Sequence, residues 1–165
     1  MIGGVYTALR MKKTLGIFVL CLAQSLVAES NKIHSTPADG SPEAMLHDFI
    51  RAFDNLEWDQ FCGSFADDAT VFYPRGFVKR ASGRLEFEAN FRKVFEQIRA
   101  GRTQPPYMDL QPRDLHIQRY GAIAIATFHL DDRPGVLNRR TLVLRKMKGR
   151  WKIVQLHASE TELSP

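Results

Sequence analysis

Apolar positions along this chain fall into two regimes, a helical period first and a strand period after it. From residue 42 to 54 they recur at Met45, Leu46, Phe49, Ile50 and Phe53, the spacing that lays a stripe along one helix face. Ser41-Pro42-Glu43 offers a capping hydroxyl, a proline at the first helical position and an acid in the first turn, so the helix is predicted to begin there. A second, short helix is predicted with Trp58, Phe61, Cys62 and Phe65 turned inward. Ala66 to Thr70 (ADDAT) then reads as a turn into a strand at Val71, Phe72 and Tyr73, which Pro74 ends. Arg75 to Gly83 (RGFVKRASG) reads as a basic loop. Leu85, Phe87, Phe91, Val94, Phe95 and Ile98 restore the helical period over residues 84–99, until Gly101 and Pro105-Pro106 stop it.

Everything after that reads as strand. Residues 108–119, 122–131, 137–147 and 150–159 are rich in Ile, Val, Leu and Thr. Tyr120-Gly121, Asp132 to Gly135 (DRPG) and Lys148-Gly149 separate them as hairpin connections. Helices first and a meander afterwards predict an α+β fold, a curved, cone-shaped antiparallel sheet packed on three N-terminal helices.

Length and charge narrow this picture. The 165 residues suit one domain and are too few for two with sizeable cores. The net charge of +5 would suggest a polyanion partner if it were concentrated on the domain. Arg10, Lys12 and Lys13, however, lie in a leader without acids, and the rest of the chain is nearly balanced, so no nucleic-acid partner is expected. In that leader the basic residues precede an apolar run, Leu15 to Ala23 (LGIFVLCLA), which is too short to span a bilayer comfortably. Small residues follow it, at Ser25, Ala28 and Ser30. The pattern is that of a secretory signal peptide over residues 1–28, starting at Met1 or Met11. The expectation is export to a periplasmic or extracellular compartment, with no membrane association after cleavage. Residues 29–41 then form a flexible linker, 42–160 the domain and 161–165 a tail. Outside the leader Cys62 is the one cysteine, so no internal disulfide is expected there, and its apolar neighbours suggest a buried thiol.

Two segments, Phe65 to Val71 (FADDATV) and Gly149 to Ser159 (GRWKIVQLHAS), together with the element order, resemble the nuclear transport factor 2-like superfamily and its SnoaL-like members. The second segment also resembles the terminal strand of the association domain of calcium/calmodulin-dependent protein kinase II. The resemblance spans roughly residues 43–160. It implies the fold rather than an activity, because this superfold hosts isomerases, cyclases, dehydratases, adaptors and assembly domains. Carried over from ketosteroid isomerases, the general-base position falls on Tyr73, the oxyanion tyrosine on Phe49, and the protonated aspartate on Leu142, Val143 or Leu144. None of these can do the corresponding job, so that isomerisation is not expected.

The same alignment puts Val154, Leu156 and Ala158 on the concave face, with His129 and Leu142 pointing inward and Thr127 and Arg140 flanking. The association domain's three arginine places read His129, Leu142 and Ala158, so its anion-binding pattern is mostly lost. His129 and Tyr73 are the candidate acid–base groups. The aromatic set Phe49, Phe53, Trp58, Phe91 and Phe95 forms a core that also lines the pocket. Asp67 and Asp68 read as turn-capping carboxylates, and Lys79, Arg80 and Arg84 as a solvated loop. No phosphate loop, nucleophile elbow or metal-ligand spacing occurs, so neither cofactor nor metal is expected. Three functions remain open: a binder of a small, largely apolar molecule; a SnoaL-type cyclase, isomerase or dehydratase using His129 or Tyr73; and a module that dimerises through its sheet.

Overall fold

The computed structural model of the protein describes residues 40–77, 79–130 and 135–163. The leader, most of the linker and the last two residues lie outside them. Among the described residues no helix is long and apolar enough to cross a membrane.

Helix α1 runs Pro42–Asp54, and the Ser41 hydroxyl accepts from the Ala44 N–H at 3.1 Å, as the capping pattern required. Its buried stripe is Leu46, Phe49 and Ala52. Helix α2, Trp58–Gly63, is a turn and a half that buries Phe61 and Cys62. Helix α3, Arg84–Gly101, buries Phe87, Phe91 and Phe95, four residues apart on one face. The strands are β1 (Phe65–Phe72), β2 (Ala81–Ser82), β3 (Pro112–Tyr120), β4 (Ile123–Leu130), β5 (Val136–Met147) and β6 (Arg150–Glu162). They form one sheet in the order β2-β1-β6-β5-β4-β3, with β1 parallel to β6 and the other pairings antiparallel.

Two local expectations need correction. Ala66 to Thr70 is not a turn: it belongs to β1, which starts at Phe65 and carries an irregularity before Thr70. Asp67 and Asp68 are consecutive exposed residues at that irregularity, where strict alternation would bury one of them. They do not cap a turn. Asp67 pairs with Arg84 at 2.7 Å, and Asp68 approaches Arg145 at 3.7 Å. Nor is Arg84 a solvated loop residue. Its guanidinium also reaches Glu88 at 2.9 Å and the carbonyls of Cys62 and Phe65, tying the end of α2 and the start of β1 to the first turn of α3. Gly83, just before α3, has φ +81°, which favours a residue without a Cβ.

Candidate functional site

The sheet curls so that one face closes on the helices. Pairing register sets which residues share that face, because directly opposed residues point the same way. Three rows cross β4, β5 and β6 on the concave side: Ala126–Leu142–Leu156, Phe128–Arg140–Ala158 and Leu130–Asn138–Glu160. The helices contribute Phe49, Ile50 and Phe53 from α1, and Phe91, Lys93, Val94, Gln97 and Ile98 from α3. Together with Tyr73 to Phe77, Met108 and Leu110, and with the sheet rows apart from Ala126 and Asn138, these groups line a cavity of about 660 Å³. That is within the size range of ligand sites.

Of the residues expected here, Phe49, Phe53, Tyr73, Phe91, Arg140, Leu142, Leu156 and Ala158 line the cavity. Trp58 and Phe95 do not: they pack edge-to-face with ring centroids 5.3 Å apart, on the helix side of the core. Thr127 and His129 are also misplaced by the expectation. They alternate with buried Ala126, Phe128 and Leu130, so they stand on the convex face, where His129 lies 3.9 Å from Asp114. Val154 is displaced by a bulge. Val143 pairs with Gln155 and Leu144 with Ile153, so Ile153 takes the inward place and Val154 is the extra residue. The groups not anticipated include Phe77 from the loop, Phe128 and Leu130 from β4, and the charged residues Arg75, Lys93 and Glu160. Ordinary polar-out alternation in β4, with Thr127 and His129 outward, would have found Phe128 and Leu130.

These placements limit the chemistry. Burial pushes the Tyr73 phenol up to about 12; the Asn90 side chain opposes that shift and Glu86 adds to it. The hydroxyl is buried, and its influential polar neighbours sit on the turns of α3 outside the lining set. Tyr73 therefore presents its ring to the cavity, packed 4.6 Å from Phe77 and 5.3 Å from Phe91 between centroids. A phenol that titrates so far from neutrality is a poor acid–base group. With His129 outside, the acid–base roles expected of that pair lose their geometry. Glu160 is the carboxylate among the lining residues, and Arg75 stands 3.6 Å from it. No group of three metal-ligating side chains occurs among the described residues. The arrangement is a mainly apolar chamber whose lining also includes Arg75, Lys93, Arg140 and Glu160.

A family model described as the SnoaL-like domain matches residues 43–161. No curated protein matches the chain. Among solved structures, a Thiobacillus denitrificans protein named for a calcium/calmodulin-dependent protein kinase type II association domain is 27% identical. The match covers 77% of this chain and 100% of that one, with a TM-score of 0.60. A nuclear transport factor 2-like protein of unknown function from Pseudomonas putida is 18% identical over 71% of this chain and 82% of its own, also at 0.60. A Parabacteroides distasonis protein named for a ketosteroid isomerase is 21% identical over 75% and 89%, at 0.58.

Proposed function

The chain belongs to the SnoaL-like domain family, and from that premise we propose that it binds a small, mainly apolar molecule inside its cone. The observation that carries this reading is the cavity of about 660 Å³, walled by phenylalanine rings and aliphatic side chains. Apolar area withdrawn from water there drives association, at roughly 25 cal/mol per Å². The reading favours binding over catalysis because the expected acid–base pair is divided: His129 faces the other side of the sheet and Tyr73 stays protonated.

A cavity-filling variant tests it. Ala158 is buried on the concave wall and lines the cavity. In Ala158→Trp an indole should occupy that volume and weaken binding of a fluorescent apolar probe, pyrenebutanol, by at least about tenfold. Circular dichroism should remain that of the parent. A folded Ala158→Trp protein that binds the probe like the parent would sink the reading.

We further propose self-association through the convex face. Two rows there hold no Asp, Glu, Lys or Arg, namely Gln118–Ile125–Val143–Gln155 and His116–Thr127–Thr141–His157. They are half-buried or exposed, which suits a partner sheet. Sedimentation equilibrium should return twice the chain mass, and a monomer at high micromolar concentration rules this out. Export remains part of the proposal on the strength of Arg10, Lys12, Lys13 and the apolar run after them. N-terminal sequencing of the mature chain from a bacterial host checks it.

A further inference from the structure

The near balance of charge that argued against an anionic partner is a sum over the domain, and the fold distributes the signs unevenly. We propose that the β5–β6 hairpin is a docking surface for anionic phospholipid, holding the domain by one end against a membrane. The proposal is independent of what the cavity holds.

Five of the eight residues from Arg145 to Lys152 (RKMKGRWK) are basic and none is acidic. Lys148 and Gly149 take φ of +49° and +82°, the signs that a two-residue hairpin turn of the primed type requires. The strands therefore stay paired up to Met147 and Arg150. Opposed residues share a face, which puts Arg145, Arg150 and Lys152 on one side of the ribbon and Lys146 on the other, with Lys148 at the tip. Lys146, Lys148 and Arg150 are exposed. The described acids nearby are engaged with other cations: Asp67 with Arg84, Asp68 with Arg145 and Glu43 with Arg119. At the root of the hairpin Lys152 donates to the Gly63 carbonyl. Its pKa is lowered by burial and then by Arg150 and Arg84, with Asp67 opposing. The field there is net positive.

Other observations favour a membrane over a nucleic acid. Tyr120, exposed at the end of β3, shares a row with Ile123, Arg145 and Lys152. A phenol ring beside cations suits the headgroup level of a bilayer. The chain also enters the domain at this end, because Glu43 in the first turn of α1 meets Arg119 at the close of β3. The segment read as an export leader is thus joined to the domain beside the cluster. A hairpin tip meets a plane well, whereas single-stranded nucleic acid is held along a groove with aromatic stacking platforms. The proposal revises the expectation that the domain has no membrane contact once the leader is removed.

Vesicle co-sedimentation tests this. The chain as isolated from a bacterial host is titrated with phosphatidylcholine vesicles containing roughly 30% phosphatidylglycerol, and with phosphatidylcholine alone, at about 0.05 M salt. It should bind the anionic vesicles at least about tenfold more tightly, and about 0.5 M salt should release it. Lys146→Gln/Lys148→Asn/Arg150→Gln removes three charges, and asparagine tolerates the positive φ of the turn. That variant should bind anionic vesicles at least about thirtyfold more weakly, from about fivefold per cation. Should it fail to fold, Lys148→Asn alone should lose about fivefold. Lys79→Gln/Arg80→Gln/Arg99→Gln removes the same net charge from exposed positions elsewhere. It should stay within about threefold of the parent, because charges beyond a Debye length of the surface are screened. Any leader left on the chain is common to parent and variants, so the comparison reads the hairpin. Equal losses in the two triple variants, or no preference for anionic vesicles in the parent, overturn the proposal. So does tighter binding of an oligothymidylate of roughly 20 nucleotides than of the vesicles, which assigns the cluster to nucleic acid instead.

Discussion

Replacing Phe61 by alanine is expected to cost about 3–5 kcal/mol of folding stability, the range for truncating a buried aromatic side chain. Phe61 is fully buried and sits where all three helices meet the sheet. Its ring centroid lies 4.7 Å from that of Phe91, 5.0 Å from Phe95, 5.1 Å from Phe53, and 5.4 Å from both Phe49 and Phe65. Truncation would leave five rings without their common neighbour. Each is anchored on a different backbone segment or helical turn, so the gap closes poorly. Against a typical total of about 5–15 kcal/mol, that loss should leave the variant near its unfolding transition at physiological temperature. Urea unfolding followed by circular dichroism measures it. Phe91→Ala, which borders the cavity on one side, should cost less because its surroundings already include open space. A Phe61→Ala unfolding free energy within about 1 kcal/mol of the parent's would show that the aromatic cluster is not the keystone of this core.

The same cluster explains why core and cavity were hard to tell apart from residue types. Phe49, Phe53 and Phe91 touch Phe61 on one side and line the cavity on the other, whereas Phe95 belongs to the cluster alone. Helical periodicity showed that all of them face inward, and that was correct. It carries no information on which inward residue meets another ring and which meets empty space. The strands illustrate a different limit. In β4 both faces are rich in apolar residues, Ala124, Ala126, Phe128 and Leu130 on one and Ile123 and Ile125 on the other. Parity there depends on Thr127 and His129 alone, and aligning it by resemblance instead moved His129 indoors. In β6 the bulge at Val154 resets the count midway, and nothing in its composition marks the place. Asp67-Asp68 misled in the same way, since two consecutive acids look like a turn until Arg84 and Arg145 are seen beside them. Arg140 was in view as a flanking residue, and register alone promotes it to the wall of the cavity.

Alkaline pH should unfold this protein in a window that its own buried acids define. Burial pushes the Cys62 thiol from 9.0 up to about 12, with Glu88 adding to the shift and Arg84 opposing it, and pushes the Tyr73 phenol from 10.0 up to about 12. Both groups fold as the neutral acid. Their folded pKa lies above the unfolded one, so their contribution to stability is complete below pH 9. It is lost as the pH rises, because the unfolded chain releases protons that the folded chain retains. Each unit of difference is worth about 1.4 kcal/mol, so Cys62 accounts for roughly 4 kcal/mol and Tyr73 for roughly 3 kcal/mol once both windows are passed. Lys152 works the other way: burial lowers its pKa, and folding gains as it deprotonates below 10.5. The two acids outweigh it. Urea midpoints measured from pH 8 to 11.5 should hold steady and then fall from just above pH 9. In Cys62→Ala the whole curve should start lower, because a buried side chain is lost, yet stay flat until about pH 10, where Tyr73 alone remains. The shape of the curve separates the two effects. A variant whose stability falls between pH 9 and 10 as steeply as the parent's would mean that the thiol titrates much as it does in water, and that the wall behind Phe61 is wetter than its packing implies.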